Sequence, residues 1–113
     1  MKIIHLSVVS HEQGKLVDKL LSDLNSISWP QKTKVIVTVT LNCTEDFKFR
    51  KDYKFCCRIV RNLRPLGFGA NHNQAFSQVD SDFFVVLNPD LEIDSDFNIE
   101  ILLQELHLSL IHI

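Results

Sequence analysis

The sequence predicts an α/β fold with a mostly parallel sheet, and three observations carry that prediction. Short β-branched runs occur at residues 3–9, 34–41, 56–60 and 82–87. Leucines at helical spacing follow the first run, and a helix-compatible stretch precedes the last. The resulting order of strand, helix, strand, strand, helix, strand, helix is that of crossover-connected parallel strands. At 113 residues the chain is the size of one domain, so residues 1–113 are read as a single unit.

The elements follow in chain order. Residues 3–9 (IIHLSVV) suit a strand buried on both faces. The polar break Ser10-His11-Glu12-Gln13-Gly14 ends it. Leu16, Val17, Leu20, Leu21 and Leu24 then share one helical face, with Lys15, Asp18, Lys19 and Asp23 on the other. That pattern is an amphipathic helix of about three turns. Trp29-Pro30 closes the connection, because proline disfavours helix at the residue before it. Residues 34–41 (KVIVTVTL) are β-branched at nearly every position. A charged segment, 42–54, leads to the shorter strand at 56–60. "RNLRPLGFGANHNQAFSQV" holds a proline, two glycines and then a helix expected from about Asn71 to Val79. The last strand is at 82–87, and helical leucine spacing returns from Phe97 to Leu106.

Composition narrows the function classes. The chain is 45% hydrophobic and 23% charged, which is ordinary for a globular protein and too apolar for disorder. A formal charge of −2 supplies neither a nucleic-acid footprint nor a polybasic membrane signal. An anionic ligand would have to be held locally, by backbone amides or a metal ion. Three cysteines, two of them adjacent, suit free thiols in a reducing cytosol. The first apolar run lacks a cleavage site and reads as a strand, not a signal peptide. No stretch approaches the roughly 20 apolar residues of a membrane helix.

Sheets of this kind bind ligands beyond the carboxyl ends of their strands, where the strand order reverses. The rule selects Ser10–Gly14, Leu41–Asp46 and Asn88–Asp90. Asn88-Pro89-Asp90 interrupts an apolar strand and has two readings. It is a turn, for which all three residues are favoured. Alternatively Pro89 stiffens the backbone so that Asp90 projects as an oxygen ligand for Mg²⁺ or Mn²⁺, ions held by carboxylates together with substrate phosphates. Glu92 would share Asp90's side if the chain stays extended. In GFGANHNQAF, Gly67 and Gly69 permit positive φ or close backbone approach. A helix beginning near Asn71 would turn free N–H groups towards an anion, unless Asn71 simply caps it. His11 is either a solvated loop residue or a ligand contact. Of the five histidines only His11 and His72 fall in candidate loops, and neither has a zinc spacing with the cysteines. Ser7 and Ser10 lack the G-x-S-x-G context of a serine hydrolase.

Together these segments resemble the N-terminal half of GT-A-type glycosyltransferase family 2, in its rhamnosyltransferase-like branch. That branch carries a first strand of type VSVVIVTYN, then VVVVDNASTD, then N…N-GFGxGNNxG, then D-Y-V-L-L-L-N-P-D. This chain reads IIHLSVVSHEQG, KVIVTVTLNCTED, RNLRPLGFGANHNQAF and DFFVVLNPDLEI in the same order, over roughly residues 3–93. The resemblance implies a three-layer α/β/α domain of the nucleotide-diphospho-sugar transferase type. It implies a UDP- or dTDP-sugar donor, a divalent metal, and a glycan or lipid-linked acceptor. Asn-Pro-Asp stands where the family has D-x-D, so Asp90 would hold Mg²⁺ or Mn²⁺ and Asn88 would lie near the ribose. Ser10, His11 and Asn42 would line the nucleotide pocket, with Asn71 and Asn73 at the helix beside it. The family reaction is an inverting displacement at the anomeric carbon, set in bacterial polysaccharide assembly on the cytoplasmic face of the membrane.

Two departures qualify the match. Leu41 stands where the family has an acidic residue, and His11 replaces the usual Tyr or Asn region. The family's general base and most of its acceptor site lie in a C-terminal half that this chain does not match, so the catalytic base is unassigned. The chain is expected to be truncated, a donor-binding fragment or a binding module that kept the fold without the chemistry. A nucleotidyltransferase is a third possibility, but its glycine- and arginine-rich loop is missing from SHEQGKLV. An open sheet edge could make the chain a homo-oligomer by strand addition.

Overall fold

The computed structural model of the chain describes residues 1–45, 48, 50 and 52–93. Six elements follow in order: β1 (Lys2–Ser10), α1 (Gly14–Asn25), β2 (Thr33–Leu41), β3 (Cys56–Arg61), α2 (Phe68–Gln78) and β4 (Phe83–Leu87). The four strands form one sheet in the order β3-β2-β1-β4, and every pair is parallel. The chain builds outward from β1 through β2 to β3, then crosses back to lay β4 on β1's other side. The strand order therefore reverses between β1 and β4.

Register separates the sheet into two chemically different faces. Ile4, Leu6 and Val8 of β1 pair with Val35, Val37 and Val39 of β2 and share a face with them. The buried side of α1 (Val17, Leu20, Leu21 and Leu24) joins these residues in the main core, together with Leu41 and Phe55. Each such aliphatic side chain contributes roughly 1.5–3 kcal/mol when removed from water. The other face carries His5, Ser7, Thr38 and Thr40, all buried and polar, beneath α2 with its buried Asn71, His72 and Ala75. Helices on opposite faces follow from the two crossovers running in opposite directions with one handedness, and they give the three layers.

Local chemistry sets the element ends. Trp29 donates its indole N–H at 3.3 Å to the Leu24 carbonyl, which at the end of α1 also accepts the Ile27 N–H at 3.3 Å. The second helix begins earlier than the sequence suggests. Its N-cap is Gly67, in extended geometry, and Phe68 is its first residue. Asn71 thus lies one turn inside the helix and does not cap it. Gly67 and Gly69 adopt no positive φ, and a Cβ at either would meet no atom within 4 Å. The fold itself thus places no demand for glycine at these two positions. All three cysteines are free. Among the described residues no helix is long and apolar enough to cross a membrane. Asp46, the expected helix at 97–106 and the apolar C-terminal segment lie outside the described residues.

Candidate functional site

At the carboxyl ends of β1 and β4, on the α2 side, the structure opens a cleft of about 390 Å³. Its polar lining comes from His11, Gln13, Asn42, Asn71, His72, Asn88 and Asp90, and its apolar lining from Val9, Phe68, Leu87 and Pro89. This is the place the strand-order rule selects. A second cavity, of about 430 Å³, has walls including Ile4, Leu6, Leu24, Trp29, Val85 and Ile93. Its predominantly apolar walls suit packing better than a charged ligand.

The Asn88-Pro89-Asp90 segment is both of the things the sequence allowed. The Leu91 N–H donates to the Asn88 carbonyl at 3.1 Å, closing a β-turn with Pro89 at its second position. The same turn forms one wall of the cleft. Because the backbone reverses here, the extended geometry that would align Glu92 with Asp90 is absent. Asp90 is exposed and free of described hydrogen bonds, so its carboxylate is open to an incoming cation. Among the described residues no three metal-ligating side chains converge. A lone carboxylate suits a Mg²⁺ or Mn²⁺ ion that arrives with phosphate oxygens and keeps its waters, not a protein-caged one.

The opposite wall starts at the end of β1. Ser10 is fully buried and donates its hydroxyl to Glu45 Oε1 at 2.9 Å, while Glu45 Oε2 accepts the Glu12 N–H at 2.8 Å. The Gln13 N–H donates to Ser10 Oγ at 3.2 Å. Glu45 thereby holds a loop in which Glu12 has a positive φ of 59°. Ser10 is a brace for this loop and does not line the cleft. His11 does, exposed, with Nδ1 3.1 Å from the Cys43 sulfur. Loss of hydration, then the carboxylates of Glu12 and Glu45, push the Cys43 thiol up, so it stays protonated beside the imidazole.

Asparagines tie the third wall together. Asn42 Oδ1 accepts from the Leu66 N–H at 2.7 Å and from Asn62 Nδ2 at 3.0 Å, and its own amide donates to the Leu66 carbonyl at 2.9 Å. Asn62 also donates to Asn71 Oδ1 at 2.7 Å, and Asn71 Nδ2 reaches Leu66 O at 3.2 Å. The buried amides of Asn42 and Asn71 are therefore largely committed to fixing the loop before α2. Of the sequence candidates, the cleft unites His11, Asn42, Asn71, Asn88 and Asp90. Ser10 lies behind it, and Asn73 is exposed on α2 away from it. Leu41, at the position of the family acid, is 1% exposed and belongs to the α1 core. Sequence reasoning left Glu45, Asn62 and Phe68 unassigned, and gave His72 a loop but no role.

A family model described as glycosyl transferase family 2 matches residues 15–108, most of the chain. The chain belongs to that family. Two crystal structures of S. aureus TarS, one of residues 1–349, share its fold at a TM-score of 0.69 and 18% identity. Each alignment covers 96% of this chain, but only 33% and 20% of the respective TarS chains. The first strand precedes the family match, yet it pairs with both β2 and β4 as the centre of the sheet. The expected GT-A-type fold is thus present in this family 2 chain. No curated protein matches it in sequence.

Proposed function

We propose that the cleft between β1 and β4 is the donor site of a glycosyltransferase, built to hold a nucleotide-diphospho-sugar such as a UDP- or dTDP-sugar. One observation carries the reading. The Asn88–Asp90 turn and His11, from the two strands flanking the reversal of strand order, face one 390 Å³ cleft. Asp90 would share a Mg²⁺ or Mn²⁺ ion with the diphosphate, and Asn88 would lie beside the ribose. The ion would neutralise charge on the leaving nucleoside diphosphate. The reaction would be an inverting transfer to a glycan or lipid-linked acceptor, with polysaccharide assembly at the cytoplasmic face of a membrane as its setting. The chain spans a third or less of the TarS structures it resembles, so donor binding is the part of that reaction assigned here.

Calorimetric titration of UDP- and dTDP-sugars in the presence of Mn²⁺ tests the assignment, with Asp90→Ala as the control. Metal-dependent binding that Asp90→Ala weakens at least tenfold is expected. A wild-type chain that binds neither donor refutes it. A second reading, a binding module without turnover, draws on the burial of Leu41 and the internal commitment of Asn42 and Asn71. Donor binding without donor hydrolysis or transfer by the wild-type chain would favour it.

A further inference from the structure

One buried polar atom beside the cleft has no hydrogen-bond partner among the described residues. His72 is 5% exposed and belongs to the cleft lining, and its Nδ1 lies 2.8 Å from the Ser7 hydroxyl. Its Nε2 is buried with no hydrogen-bond partner among the described residues. An unpaired buried nitrogen is rare because its lost hydration goes uncompensated. The direction of the Ser7–His72 hydrogen bond sets which nitrogen holds the proton. Ser7 is fully buried in β1, and His72 is its described side-chain partner. When the Ser7 hydroxyl donates to Nδ1, the proton of a neutral imidazole sits on Nε2. Burial holds the imidazole below its ordinary range, so the neutral form prevails at pH 7.

We propose that His72, oriented by Ser7, donates its Nε2–H to an acceptor oxygen of the nucleoside diphosphate in the cleft. This inference rests on the donor-site reading and adds a binding residue to it. The ring of Phe68 meets the imidazole edge-to-face, with centroids 4.5 Å apart. Phe68 is 64% exposed on the rim of the cleft. A fixed neutral donor suits an oxygen acceptor, either a phosphate oxygen or an oxygen of the nucleoside.

The test compares wild type, His72→Phe and His72→Gln. UDP, UMP and uridine are titrated into each with Mn²⁺, and each melting temperature is measured without ligand. His72→Phe removes the donor but keeps a ring of similar size. It should weaken UDP binding about tenfold, the value of one lost hydrogen bond, and melt lower than wild type because the buried Ser7 hydroxyl loses its partner. His72→Gln, which places an amide N–H near the Nε2 position, should recover most of the affinity. An equal loss for uridine assigns the contact to the nucleoside, and a loss confined to UDP and UMP assigns it to phosphate; both support the proposal. Unchanged UDP affinity in His72→Phe overturns it. So does a fall in affinity that His72→Gln does not recover, since that marks a structural role. UDP binding that needs Asp90 but ignores His72 overturns this inference alone, whereas a wild-type chain that binds no nucleotide removes the donor site as well.

Discussion

Lowering the pH should weaken this fold through one buried side chain, His5. The imidazole lies at the centre of β1, fully buried, with Nε2 2.7 Å from the Thr38 hydroxyl and Nδ1 unpaired among the described residues. The edge of the Phe84 ring meets it at 5.1 Å between centroids. Burial first, and the Arg58 guanidinium second, lower its pKa from 6.5 to about 4. The unfolded chain takes up the proton near pH 6.5, whereas the folded chain resists it until about pH 4. Between those values the unfolded state binds more protons, so stability rises with pH. The contribution is complete above pH 6.5 and is lost progressively as pH falls towards 4. At about 1.4 kcal/mol per pH unit it totals roughly 3 kcal/mol, with about 2 kcal/mol already lost at pH 5. Urea unfolding of wild type and His5→Gln at pH 5 and pH 7 measures it, because glutamine keeps a partner for Thr38 without titrating. The difference between the two proteins removes the shared contributions of carboxylates and of His72. Equal pH dependence in both would refute the assignment.

The loops around the cleft yield two further expectations. Asn62→Ala leaves Asn71 Oδ1 buried without the donor it now has at 2.7 Å, and should lower unfolding stability by about 1–3 kcal/mol; urea midpoints measure this, and a change under about 0.5 kcal/mol would contradict it. Glu45→Ala removes the acceptor of both Ser10 Oγ and the Glu12 N–H. Amide exchange at Glu12 should accelerate about tenfold while the β2 amides keep their protection, in line with the loss of about 1.4 kcal/mol of local stability.

The sheet and α1 were legible in the sequence because each rests on a local repeat: β-branched runs for the strands, leucines at 20, 21 and 24 for the helix. The start of α2 was not. Gly67 and Gly69 carry no apolar signal, so the pattern begins only at Asn71, although the backbone turns helical at Phe68. The Asn-Pro-Asp turn could be read from its own residues. The roles of the asparagines could not, since Asn42 and Leu66 are 24 residues apart and Asn62 joins two side chains from different elements. His72 was hidden for the same reason: Ser7, which orients it, lies 65 positions away. Hydrophobic periodicity reports contacts made by whole elements, whereas these polar contacts are pairwise and depend on the assembled fold.

Strand β1 alternates Ile4, Leu6 and Val8 on one side with His5, Ser7 and Val9 on the other. Cohesion with α1 depends on the first set, and the second set lies beneath α2 and beside the cleft. Neighbouring positions in the chain thus answer to different physical demands. A replacement at position 9 changes the cleft wall while the aliphatic side keeps the sheet assembled. A single strand in this way separates the wall of the cleft from the cohesion of the scaffold.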